Sequence, residues 1–145
     1  MNVLVIEDSS YKAMEIISYL KKCNVDSIIH KCSRNSGLYE LQRAEKENNP
    51  YNYLILDMQL PIYDNEFDTL EKDAGLDILR EIRRLKDIRN NCNELKVIMC
   101  SHEDVSKMTN HFENVIGHII YSPSVDLTPN FEKLILEREE VEKEF

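Results

Sequence analysis

The chain has 145 residues, 42% hydrophobic and 31% charged, with 3 Gly, 4 Pro and a net charge of −9 from 27 acidic and 18 basic side chains. That length suits a single domain over residues 1–145 with one substantial core, and the composition excludes disordered, collagenous and repeat chains. The charge disfavours nucleic acid and anionic membrane as direct partners, no stretch approaches the roughly 20 apolar residues that span a bilayer, and four cysteines without C-x-x-C spacing argue against zinc; a cytoplasmic protein is expected.

The run "NVLVI" at 2–6 predicts a first strand, followed at once by Glu7 and Asp8. Ser9 or Ser10 can cap a helix whose inner face carries Ala13, Ile17 and Leu20. "DSIIHK" at 26–31 reads as a second strand, and Ser33 caps a helix bearing Leu38 and Leu41. "YLILD" at 53–57 is apolar almost without alternation, as a strand covered on both faces must be, and it ends on Asp57. A third helix follows with Ile78, Ile82 and Leu85 on one side. "KVIMCS" at 96–101 is a fourth strand ending on Ser101, and Val105, Met108 and Phe112 mark a fourth helix. "GHIIYS" at 117–122 is a fifth strand, and Thr128-Pro129 opens a last helix with Phe131, Leu134 and Ile135 inside.

Five β-α repeats imply an α/β doubly wound fold: a parallel sheet with right-handed crossovers and helices on both faces. Ligands bind such sheets beyond the carboxyl ends of the strands. Glu7, Asp8, Asp57 and Ser101 all belong at that rim. Converging carboxylates repel one another unless a cation lies among them, and Mg²⁺, with Mn²⁺ as an alternative, takes oxygen ligands of this kind. Taken singly, Glu7 and Asp8 are accounted for as capping acids and Asp57 as a turn residue before Pro61. Their coincidence outweighs three separate accounts.

The segments "VLVIEDS", "YLILDMQLP", "GLDILREIR", "VIMCSHED" and the "SP" after the fifth strand resemble the receiver domains of two-component response regulators over nearly the whole chain. That resemblance implies a flavodoxin-like (βα)5 fold with strand order 2-1-3-4-5. It makes Asp57 the acceptor of a phosphoryl group from a histidine kinase or histidine phosphotransfer protein. Glu7, Asp8, Asp57 and the main-chain carbonyl of Gln59 would hold Mg²⁺, and Ser101 would bond the phosphoryl group and shift on activation. The domain would signal to a downstream protein through its fourth helix, fifth strand and fifth helix. Any enzymatic activity would be Mg²⁺-dependent self-phosphorylation and autodephosphorylation.

Three features depart from the family. Ser122 stands where the family has a lysine before proline, so a full positive charge beside the phosphoryl group is replaced by a neutral hydroxyl. Losing one such donor costs on the order of 3 kcal/mol, or about a hundredfold in rate. The Ser122-Pro123 bond is expected to be cis, as in the family. Ile119 takes the place of the switch aromatic, and Tyr121, on the same face, is read first as a tyrosine covering the sheet edge. Thirteen residues at 62–74, "IYDNEFDTLEKDA", are inserted after Pro61, five of them acidic: Asp64, Glu66, Asp68, Glu71 and Asp73. They lack the glycine of a calcium loop and are expected to form a solvated loop anchored by Ile62, Tyr63 and Phe67.

A rival class stays open: a pseudo-receiver that binds proteins but is not regulated by phosphate, favoured by the missing lysine. A Mg²⁺-dependent nuclease is disfavoured by net charge and by the absence of a second acid two residues beyond Asp57.

Overall fold

A computed structural model describes residues 1–66 and 69–143. The elements run β1 (Asn2–Ile6), α1 (Ser10–Lys22), β2 (Ser27–Lys31), α2 (Arg34–Lys46), β3 (Tyr53–Leu56), β4 (Leu60–Pro61), β5 (Leu70–Glu71), α3 (Ala74–Arg89), β6 (Lys96–Ser101), α4 (Ser106–Thr109), β7 (Val115–Ile120) and α5 (Thr128–Lys143). Five strands form a parallel sheet in the order β2-β1-β3-β6-β7, which is the expected 2-1-3-4-5 arrangement once the short β4 and β5 are set aside.

Strand parity divides the core into two layers. Val3, Val5, Tyr53, Ile55 and Ile98 pack with Ile16, Leu20, Phe131 and Ile135 of α1 and α5. Leu4, Ile6, Leu54, Leu56 and Met99 pack with Leu41, Ile78, Ile82 and Leu85 of α2 and α3. Because both faces are covered, Val3 to Ile6 have no exposed surface at all.

Helix starts follow the expected chemistry. Ser9 Oγ accepts from the Lys12 N–H, and Ser33 with Ser36 completes a capping box on α2. At the start of α5 Asp126 Oδ1 accepts from the Thr128 N–H at 3.0 Å. All four cysteines are free, and Cys23, Cys92 and Cys100 are buried. No helix among the described residues is long and apolar enough to cross a membrane.

Three local expectations are corrected. The Ser122–Pro123 bond is trans, since the described residues contain no cis peptide; the turn closes instead through the Val125 N–H to the Ser122 carbonyl at 3.3 Å, with Ser124 at positive φ. Tyr121 is 3% exposed and does not cover an edge: its hydroxyl donates to Glu15 of α1, and its ring meets His102 edge-on at 5.1 Å. The insertion is a hairpin, β4 pairing antiparallel with β5, and Tyr63 is exposed, so it anchors nothing. The tether is polar: Asp64 Oδ1 accepts from Ser33 Oγ at 2.6 Å, and the Ile62 carbonyl accepts from the Asn35 N–H at 3.1 Å. Phe67 and Asp68 lie outside the described residues.

Candidate functional site

The site is assembled where β1, β3 and β6 end side by side. Glu7 follows the last residue of β1, Asp57 follows β3, and Ser101 ends β6. The turn after β3 is held closely: the Gly75 N–H of α3 donates to the Met58 carbonyl at 2.8 Å, and Met58 packs into the core. A Cβ at Gly75 would lie 2.5 Å from the Asp57 carbonyl oxygen, so only glycine lets α3 approach here.

Glu7, Asp8 and Asp57 each offer a carboxylate oxygen within 4.8 Å of the others, the one such cluster among the described residues. The hydroxyl of Ser101 donates to Asp57 Oδ1 at 2.6 Å, and the Met58 N–H donates to the same oxygen at 2.7 Å. Gln59 lies in the same turn, and its exposed residue, with Asp57, Met58, Ser101, His102, Lys72 and Asp73, lines a cleft of about 130 Å³ opening onto the carboxylate. Thus the inserted hairpin contributes Lys72 and Asp73 to the mouth of the site.

Ser122 is exposed and makes no hydrogen bond to Asp57. The cation at the site is Lys12 of α1, which sequence reading overlooked. Its ammonium donates to Asp57 Oδ2 at 3.0 Å and to the Cys100 carbonyl at 2.8 Å, and lies 2.8 Å from Glu7 Oε1 and 5.2 Å from the centre of the Tyr121 ring. The Glu7 contact is an ion pair by distance but lacks hydrogen-bond alignment. Glu7 Oε1 is accordingly the one buried side-chain polar atom without a hydrogen-bond partner among the described residues.

Electrostatics follow from this packing. Burial pushes the Glu7 carboxyl above the usual carboxylate range, with Lys12 opposing the rise and the Asp57 charge adding to it. For Lys12, burial acts to lower the pKa, but the carboxylates of Glu7 and Asp57 outweigh it and the net shift is upward. Lys12 is therefore a charged ammonium only 1% exposed, matched by two acids.

A signal for Lys12 existed in the sequence. It occupies the third position of α1 after the Ser9 cap, four residues before the buried Ile16, and so lies on the inner face of the helix. Helical side chains tilt toward the N-terminus, which here points at the strand ends. A cation in the first turn opposes the helix macrodipole by about 0.3–1 kcal/mol, and a lysine placed there on a buried face breaks two local rules together.

The donor set fits a hard divalent ion: three carboxylates converge beside the turn that carries the Gln59 main-chain carbonyl.

No protein-family model matches the sequence, and no match is found among curated proteins. Solved structures do match. The receiver domain of the Arabidopsis thaliana histidine kinase CKI1, complexed with Mg²⁺ and BeF₃⁻, superposes with a TM-score of 0.67 at 20% identity, covering 96% of this chain and 89% of that one. The Mn²⁺-bound response regulator Rcp1 gives 0.66 at 23% identity over 93% and 94% of the two chains. The phosphorylated cyanobacterial phytochrome response regulator RcpA gives 0.69 at 17% identity, covering 94% of each. The chain has the fold of response regulator receiver domains, with an acidic cluster at the rim formed by the carboxyl ends of its strands.

Proposed function

We propose that this protein is a two-component receiver that accepts a phosphoryl group on Asp57 in a Mg²⁺-dependent reaction and signals through protein contacts. The observation that carries the reading is the convergence of Glu7, Asp8 and Asp57 within 4.8 Å, with the Ser101 hydroxyl already on the Asp57 carboxylate. Receivers of the same fold with Mg²⁺ and BeF₃⁻, with Mn²⁺ and in a phosphorylated state support it.

The divalent ion, held by Glu7, Asp8, Asp57 and the Gln59 carbonyl, supplies charge neutralisation for the oxygens of the group in transfer. The chain does the rest by position. Met58 N–H and Ser101 occupy Asp57 Oδ1, while Oδ2 has a single donor, so the carboxylate keeps a lone pair directed to a nucleophile's task. Once the Asp57 carboxylate is replaced by an acyl phosphate of about two negative charges, Ser101 is the neighbouring hydroxyl that can turn toward the phosphoryl oxygens. The donor is a histidine kinase or histidine phosphotransfer protein, and the output surface is α4, β7 and α5.

A pseudo-receiver reading has one observation in its favour: Lys12 already compensates Glu7 and Asp57, so the acids stay together without an ion. The two readings separate by incubation with Mg²⁺ and acetyl phosphate or phosphoramidate, followed by intact mass. The receiver forms an acid-stable, base-labile phosphoprotein that Asp57→Asn abolishes. No adduct, together with no binding of beryllofluoride, establishes the pseudo-receiver.

A further inference from the structure

The geometry points to Lys12 as the catalytic cation of the Asp57 site, taking from α1 the part for which the resemblance implies a lysine after the fifth strand. The inference rests on the phosphoryl-accepting reading above. Ser122, two residues beyond that strand, is exposed and makes no hydrogen bond to Asp57, whereas the Lys12 ammonium is 3.0 Å from the carboxylate oxygen Oδ2 of Asp57.

The position suits the role. Contacts to Glu7 after β1, to the Cys100 carbonyl in β6 and to the Tyr121 ring beyond β7 hold the ammonium beside Asp57. Its ion pairs are with Glu7 and Asp57, two of the three acids of the cluster, and do not include Asp8. Being 1% exposed, the ammonium has little water to screen it, and its charge acts on a neighbouring phosphoryl group at the strength of a dry site.

The step balances without proton transfer to or from Lys12. An Asp57 oxygen forms a bond to the phosphorus of acetyl phosphate as the bond from phosphorus to the acetate oxygen breaks, and acetate leaves with that electron pair. Lys12 stays protonated throughout and faces the negative charge that arrives on Asp57. Its hydrogen bond passes from the carboxylate to a phosphoryl oxygen, while the Cys100 carbonyl keeps it in place.

The test compares labelling rates by intact mass, with Mg²⁺ and acetyl phosphate, for the wild type, Lys12→Met, Ser122→Lys and the double variant. Lys12→Met is expected to slow labelling about a hundredfold. Ser122→Lys alone changes it little, and in the double variant the new lysine restores much of the lost rate. Equal labelling of wild type and Lys12→Met overturns the inference and leaves the receiver reading standing. An unlabelled wild type that also fails to bind beryllofluoride overturns both. Because Lys12→Met leaves two buried acids facing each other and risks misfolding, a crystal structure of the wild type with Mg²⁺ and beryllofluoride gives an independent answer. A Lys12 Nζ contact to fluoride supports the assignment, and an ammonium turned away from the fluorides overturns it.

Discussion

At the scale of single residues, the site depends on one absent methyl group. Gly75, the second residue of α3, lies against the backbone of Asp57 and Met58, and its φ is not positive, so the constraint is space and not conformation. Alanine in a helix is worth up to about 1 kcal/mol over glycine, which would favour Gly75→Ala if room existed. The new Cβ would meet the Asp57 carbonyl oxygen at 2.5 Å and Met58 Cα at 2.8 Å, both backbone atoms that cannot turn aside. Overpacking of this kind costs about 1–3 kcal/mol and wins over propensity. Gly75→Ala is therefore expected to lower the urea midpoint and to displace Asp57; an unchanged midpoint and unchanged labelling rate would show that α3 can retreat freely. Residue identity was legible for Glu7, Asp8, Asp57 and Ser101 because each follows or ends an apolar strand. Lys12 left only the weaker signal of a first-turn lysine on a buried face, and its partners, 5, 45 and 88 residues away in sequence, are brought to it by the fold.

At the scale of elements, the β-α order is written in the apolar runs, and the boundaries that moved have local causes. The spacing of Val105, Met108 and Phe112 predicts a helix across all three, yet α4 is one turn, Ser106–Thr109. Val105 and Phe112 are buried as the spacing requires, but the intervening "TNH" has weak helix propensity, and the Thr109 hydroxyl donates back to the Val105 carbonyl. The last strand begins at Val115 and not at Gly117, which sits inside it because a Cβ there would strike Leu134 of α5 at 2.6 Å. Between α4 and β7 the Thr109 hydroxyl and His118 Nε2 are 2.6 Å apart. Burial lowers the His118 pKa below 6.5, with the nearby Asp104 charge opposing. A base depressed in the folded state contributes stability that is full above its unfolded pKa and is lost as pH falls through the folded value. Glu7 acts in the opposite sense, since a carboxyl raised in the folded state favours folding more as pH falls. The difference between variants isolates the histidine: from about pH 7.5 to about 5.5, His118→Gln should lose less stability than the wild type in urea titrations. Parallel profiles would mean that His118 takes up its proton without cost.

At the scale of the whole molecule, the parallel sheet was legible in the β-α alternation and its strand order through the family resemblance, whereas the path of the insertion was not, because its tether is a side-chain hydrogen bond from Ser33 to Asp64, 31 residues apart. The same topology concentrates charge: a chain of net charge −9 places Glu7, Asp8 and Asp57 at one rim and sets a single buried ammonium among them. Ion binding at that rim is linked to global stability, since a ligand held only by the folded state stabilises it by about 2.7 kcal/mol at a hundredfold excess over its Kd. For a chain of roughly this size each kcal/mol moves Tm by about 2–4 °C, so saturating Mg²⁺ should raise Tm by about 5–10 °C. Any salt relieves self-repulsion in so acidic a protein, and the comparison must be made against NaCl at matched ionic strength. Asp8 distinguishes the two effects: it lies within the acidic cluster but forms no ion pair with Lys12, so Asp8→Asn removes a ligand without unbalancing the buried lysine. The rise with Mg²⁺ should vanish in Asp8→Asn while the NaCl response persists. A shift that survives the substitution would place the ion elsewhere on the acidic surface and detach Asp57 from metal-assisted chemistry.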